Sequence, residues 1–99
     1  MRPIHWVTLD KRRPALVLTR SLMVGRMSTV TVAPITSTVH GIATELPVGK
    51  RNGLDQDSAV KCDQIVSIAI DRVHERCGWL FEAQEIALHD AIQAAFDLE

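Results

Sequence analysis

Apolar and polar positions along the chain follow two different periods, and the change between them divides it. Residues 4–9 (Ile-His-Trp-Val-Thr-Leu) are rich in β-formers and stop at Asp10-Lys11-Arg12-Arg13. Pro14 then opens a short apolar run at 15–19, which fits a buried strand. The link between these runs is about four residues long, which predicts a hairpin. Pro14 is expected at the first strand position, where a missing N–H does least harm. Residues 20–27 read as a connection. Residues 28–35 alternate polar and apolar as a half-buried strand does, with Pro34 marking its end or an edge. A polar loop from Thr36 to Gly41 leads into a further short strand at 43–48. Residues 49–54 carry the Asn52-Gly53 turn signal. Residues 57–62 and 64–68 are two more strands or one bent strand, and 71–74 suit a single helical turn broken by Gly78. In 82–97 the period lengthens: Leu88, Ala91, Ile92, Ala95 and Phe96 share one face at helical spacing, while Ile86 falls off it.

These elements predict a mainly β fold with a C-terminal helix, in which a small twisted antiparallel barrel or sheet is closed by that helix. Ninety-nine residues make a single domain, 1–99, with a modest core. Hydrophobic content of 46% beside 23% charged residues excludes global disorder. No apolar run approaches the ~20 residues needed to span a bilayer. The N-terminal stretch turns charged at Asp10 before any signal-type apolar region develops, so a cytoplasmic location is expected. Cys62 and Cys77 permit one bridge at most, and reduced thiols fit that compartment better.

Net charge alters the picture once it is divided by position. The total is −1, yet residues 1–53 hold eight basic and two acidic residues, while 54–99 hold three basic and ten acidic. A +6 half beside a −7 half suggests that the first half meets a polyanion.

Candidate chemistry is sparse. The four histidines and two cysteines make no metal-ligand spacing, so no metal site and no cofactor are expected. There is no Gly-x-Ser-x-Gly elbow and no phosphate-binding glycine loop. Lys11-Arg12-Arg13 is either a solvated hairpin loop or a phosphate-contacting rim, since guanidinium groups hold phosphate oxygens bidentately. Thr36-Ser37-Thr38, at a strand end, offers hydroxyls either to a phosphate or to its own turn. Pattern alone leaves both pairs of alternatives open.

Several segments, in order, resemble the MazF/PemK family of toxin endoribonucleases from type II toxin–antitoxin modules. They are the opening strand Ile4-His5-Trp6-Val7-Thr8-Leu9-Asp10; Arg13-Pro14-Ala15-Leu16-Val17-Leu18; Val32-Ala33-Pro34-Ile35-Thr36-Ser37; Gly53-Leu54 with Asp57-Ser58 and Val60; Asp63-Gln64-Ile65; and Gly78-Trp79-Leu80 before the closing helix. The resemblance implies an SH3-like barrel of the CcdB/MazF/PemK type. It implies a toxin that inhibits translation and growth by cutting single-stranded RNA (mRNA, rRNA or tRNA) at short sequences. It also implies a homodimer, a metal-independent reaction leaving a 2′,3′-cyclic phosphate and a 5′-hydroxyl, and a cognate antitoxin with an acidic disordered tail. Arg13 and Thr36 match the family's catalytic arginine and threonine, Gln64 matches a position lining the RNA groove, and Ser37, Lys11 and Arg12 are expected to bind RNA. The family's longer loop before the arginine, with its Glu, is here reduced to Lys11-Arg12, and Asp10 is the nearest carboxylate. His5 sits on the wrong strand end relative to Arg13 for a catalytic role. The alternative within this fold is a non-enzymatic, CcdB-like toxin that binds a topoisomerase. An SH3-type peptide-binding module is disfavoured, because such grooves are lined with aromatics and this chain has two Trp, two Phe and no Tyr.

Overall fold

The computed structural model describes residues 1–20 and 26–97. Among the described residues seven strands alternate with short 3-10 turns and end in one helix: β1 (Arg2–Thr8), β2 (Arg12–Val17), β3 (Thr29–Thr36), β4 (Glu45–Val48), β5 (Ser58–Lys61), β6 (Val66–Ala69), β7 (Val73–Leu80) and α1 (Glu85–Phe96). The sheet order is β4-β5-β3-β2-β1-β7, and β6 also pairs with β3. The result is a curled half-barrel with α1 packed on it, which agrees with the mainly β fold expected.

β1 and β2 form the expected hairpin, from Ile4↔Leu16 to Thr8↔Arg12. Pro14 lies inside β2 opposite Trp6, not at its first position. β3 is the hinge of the sheet. Its first half pairs with β6 as far as Val32↔Val66, and its last residues pair with β5 at Ile35↔Val60 and Thr36↔Ala59. Pro34 falls between these two partnerships, where its missing N–H costs no ladder hydrogen bond on that side. The strand therefore runs through the proline instead of ending there. Residues 57–68 are two strands rather than one bent strand, because the 3-10 turn Cys62–Gln64 separates β5 from β6. The connection read at 20–27 lies partly outside the described residues.

Residues 71–74 depart further from expectation. The helical turn lies at Ile70–Arg72, and residues 73–80 are a full strand along β1, with Gly78 inside it. Val-His-Glu-Arg-Cys-Gly-Trp-Leu has little strand propensity of its own; pairing with the open edge of β1 decides its conformation. Gly78 serves close packing. A Cβ there would lie 1.8 Å from the Asn52 carbonyl oxygen, and one on Gly53 (φ +94°) would lie 2.4 Å from that of Cys77. The 3-10 turn Lys50–Asn52 can thus press against β7. Asn52 fixes it there, its side-chain amide donating to the Trp79 carbonyl (2.9 Å) and to Gln84 Oε1 (2.8 Å).

The main core joins Ile4, Leu16, Ile35, Leu46, Val60 and Leu80 to Leu88 and Ala91 of α1. A smaller cluster of Val7, Ala15, Val17, Val30, Val32 and Ile68 packs separately. Each such aliphatic side chain contributes about 1.5–3 kcal/mol through burial. α1 starts one 3-10 turn later than the periodicity suggests and stops at Asp97, which adopts φ +52°. Ile92 and Ala95 are half-buried, but Phe96 is exposed, so the apolar stripe seats the helix by only part of its length.

Candidate functional site

The divergence of β2 and β3 creates the site. These strands pair from Val17↔Val32 to Ala15↔Pro34 and no further. Continued register would set Arg13 opposite Thr36. Instead β3 turns away to β5, and the two residues are left on opposite lips of a groove of about 720 Å³. Lys11, Arg12, Ser37 and Gln64 line the same groove. All six residues singled out from the sequence are therefore brought together by the fold.

Arg13 is held firmly. Its side chain keeps only 19% of its exposure, and one terminal nitrogen donates to Asp10 Oδ2 at 3.1 Å. Its Nε is buried without an acceptor among the described residues. A buried donor in that state costs about 1–3 kcal/mol, so the guanidinium is poised to accept an anionic partner. Arg12 is the outer cation, paired with Glu75 and lying 5.6 Å over the Trp6 ring. On the opposite lip the Thr36 hydroxyl donates to the Thr38 carbonyl at 3.2 Å, which is the local turn role weighed in the sequence. A contact that long and exposed is readily exchanged for a better acceptor. Gln64 closes the 3-10 turn Cys62–Gln64 and is exposed.

Beneath the loop that follows Thr36 lies a buried ion pair of Glu45 with Lys61, neighbours in the β4–β5 ladder. Glu45 also accepts the backbone N–H groups of Gly41 (2.8 Å) and His40 (3.0 Å). Lys61 first of all holds the Glu45 carboxyl down, to about 2; burial acts in the opposite direction, and the amides of Gly41, His40 and Ile42 assist the lysine. Glu45 thereby fixes the course of the 37–44 segment. Both thiols are pushed up, Cys62 to about 11, first of all by burial. Neither has the depressed pKa of a nucleophile. Nδ1 of His5 lies 2.7 Å from the His74 carbonyl oxygen, and His5 is not among the residues that line the groove. Among the described residues no cluster of His, Cys, Asp and Glu could hold a metal ion, and no helix is long and apolar enough to cross a membrane.

A family model described as PemK-like, MazF-like toxin of type II toxin–antitoxin system matches residues 4–96. The chain belongs to that family. It is 50% identical over 99 residues to "Endoribonuclease MazF3" of Mycobacterium tuberculosis, covering all of this chain and 96% of that one. Its structure is similar to that of "Mycobacterium tuberculosis toxin MazF-mt6", with TM-score 0.96, 50% identity and 99% of each chain covered. A more distant likeness, at 19% identity, concerns the fold alone: an endoribonuclease solved in complex with its cognate antitoxin from Mycobacterial species, with TM-score 0.85, covering 98% of this chain and 93% of that one.

Within the family fold, several groove residues escaped the sequence reading: Trp6, His40, Glu45, Asp55, Lys61 and Asp63. One signal was available for the ion pair, since a lone lysine interrupts Ser58-Ala59-Val60-Lys61-Cys62 and a lone glutamate opens Glu45-Leu46-Pro47-Val48. Opposite charges in two otherwise apolar strands favour their pairing. The groove also corrects the charge argument. It takes Asp55, Lys61, Asp63 and Gln64 from the acidic half, so the division along the chain is not a division in space.

Proposed function

We propose that this endoribonuclease toxin of a toxin–antitoxin module cuts single-stranded RNA by attack of a ribose 2′-hydroxyl on the adjacent phosphorus. The bond from the 2′-oxygen to phosphorus forms and the bond to the 5′-oxygen breaks. The 2′-hydroxyl proton leaves, and a proton is delivered to the departing oxygen. The products are a 2′,3′-cyclic phosphate and a 5′-hydroxyl, and no metal takes part. Negative charge builds on the non-bridging oxygens as the phosphorus becomes five-coordinate. A fixed guanidinium stabilises that charge more than it stabilises the ground state, which is what lowers a barrier. Arg13 has this role, and Thr36 donates a hydrogen bond to a non-bridging oxygen from the opposite lip. Lys11, Arg12, Ser37 and Gln64 hold the strand around them.

One observation carries the reading: the lips parted at Ala15↔Pro34 present an arginine with a spare buried donor and a threonine hydroxyl to one cavity. A topoisomerase-binding toxin of the CcdB kind has no use for that pair, and the match over residues 4–96 is to the PemK-like, MazF-like model. The protein acts in the cytoplasm as a homodimer, and its cognate antitoxin lays an acidic tail along the same groove in competition with RNA. The test is cleavage of a long single-stranded RNA in EDTA. Arg13→Ala and Thr36→Ala should each abolish it while the circular dichroism spectrum is retained. Unchanged cleavage by both variants would overturn the assignment.

A further inference from the structure

A second groove, of about 380 Å³, lies beside the first on the far side of Gly53 and Cys77, and both residues line both grooves. Its cations are Lys50, Arg51 and Arg76, and among the described residues no carboxylate lines it. The contrast with the first groove is physical. There, three of the four Lys and Arg residues, Arg12, Arg13 and Lys61, are each paired with a carboxylate (Glu75, Asp10 and Glu45), and Lys11 makes no salt bridge among the described residues. Among the described residues none of the second groove's three cations makes a salt bridge. Asp10, Glu45 and Glu75 thus offset most of the first groove's positive charge, and three cations without such partners stand next to it.

Aromatic placement reinforces the point. The chain has four aromatic residues, and none is in the buried core. Trp6 lines the first groove, and Trp79 and Phe81 line the second. Arg76 lies 4.5 Å over the Trp79 ring and Arg51 lies 6.0 Å over Phe81. A guanidinium seated on an aromatic face presents a flat cationic surface on which a nucleobase stacks while its phosphate stays within reach. The partition between the grooves includes Gly53, which has no side chain to obstruct a passing strand.

We infer that the second groove is a binding site for single-stranded RNA, in which Lys50, Arg51 and Arg76 hold the phosphates, and Trp79 and Phe81 stack the bases, of nucleotides that continue from the strand in the catalytic groove. This rests on the reading of the first groove as the RNA site. An extended strand gains affinity there without a second scissile bond, because among the described residues no hydroxyl side chain lines it to stand opposite an arginine as Thr36 stands opposite Arg13.

The experiment uses fluorescein-labelled 2′-O-methyl oligonucleotides of about five and about ten nucleotides, whose blocked 2′-oxygen prevents cleavage, with fluorescence anisotropy across a salt series. Arg51 and Arg76 are exposed, so the double variant R51A/R76A should keep the fold. Wild-type protein should bind the longer oligonucleotide about ten-fold or more tightly than the shorter one. The slope of log affinity against log salt should be steeper for the longer one by about 2, that is, three phosphates at about 0.7 each. The double variant should lose most of the length gain and about 1.4 of the extra slope, with affinity for the shorter oligonucleotide changed less than about two-fold. A double variant that keeps the full length gain overturns the second site alone. So does a double variant that falls from dimer to monomer in light scattering, which would give the groove to subunit contact. Wild-type protein that binds neither oligonucleotide overturns the catalytic-groove reading with it.

Discussion

Replacing Arg13 by methionine should separate catalysis from stability with opposite signs. The substitution keeps a flexible stem of similar length and removes only the guanidinium, so the packing of a side chain that is 19% exposed is largely preserved. Two terms then compete. The ion pair with Asp10 is lost, but Asp10 is 72% exposed, and a pair of that kind contributes about 0–1 kcal/mol. The orphaned Nε is also removed, which relieves about 1–3 kcal/mol of uncompensated desolvation. The net is a folded state stabilised by about 1 kcal/mol, or about 4–8 °C in Tm for a domain of this size. Activity should move the other way. Removing one donor from a developing oxyanion costs about 3–4 kcal/mol, which is roughly 10²–10³ in kcat. The assay is a urea midpoint at constant m-value beside single-turnover cleavage of a defined RNA under saturating enzyme. An R13M protein destabilised by more than about 2 kcal/mol would refute the reasoning, because it would make the arginine a structural residue. Cleavage retained within about ten-fold would refute it from the other side.

Three further outcomes follow from the same coordinates. Glu45 has a folded pKa of about 2, below its ordinary value near 4.5. Its contribution is therefore complete above that value and lost as pH falls from about 4.5 towards 2; Glu45→Gln should flatten the Tm profile in this window and loosen the loop after Thr36, seen as faster amide exchange at His40 and Gly41. Gly78→Ala places a methyl 1.8 Å from the Asn52 oxygen and should destabilise by about 3 kcal/mol or more by urea unfolding. Gly41→Ala, at φ +69° with no atom of the described residues within 4 Å of the new methyl, should cost only about 1–2 kcal/mol, and equal losses at both glycines would contradict the packing described.

The outline of the fold was legible in the sequence wherever the local pattern and the tertiary environment agree. The hairpin of β1 and β2, the alternating β3 and the apolar side of α1 all show their period because one face of each is buried. β7 was not legible, since its middle residues Glu75 and Arg76 are solvated and only the edge of β1 makes it a strand. The site divides in the same way. The placing of Arg13, Thr36 and Gln64 along one groove was legible through their neighbours in chain order, a signal carried by the sequence itself. Glu45 and Lys61 were missed because their chemistry exists only across the β4–β5 ladder, and Trp6 because nothing local distinguishes an aromatic that lines a groove from one that fills a core.

The pairing of Arg2 with Leu80 has a consequence in time. Strand β1 finds its outer neighbour only among residues 73–80, far along the chain from the hairpin it makes with β2. Long-range closures of this kind are slow compared with hairpins. During translation the nascent chain therefore carries its hairpin and one lip of the cleft on an unfinished sheet whose edge is unpaired. A polypeptide stopped before residue 80 keeps that edge open. Completion of the sheet that carries the cleft is thus tied to synthesis reaching residue 80.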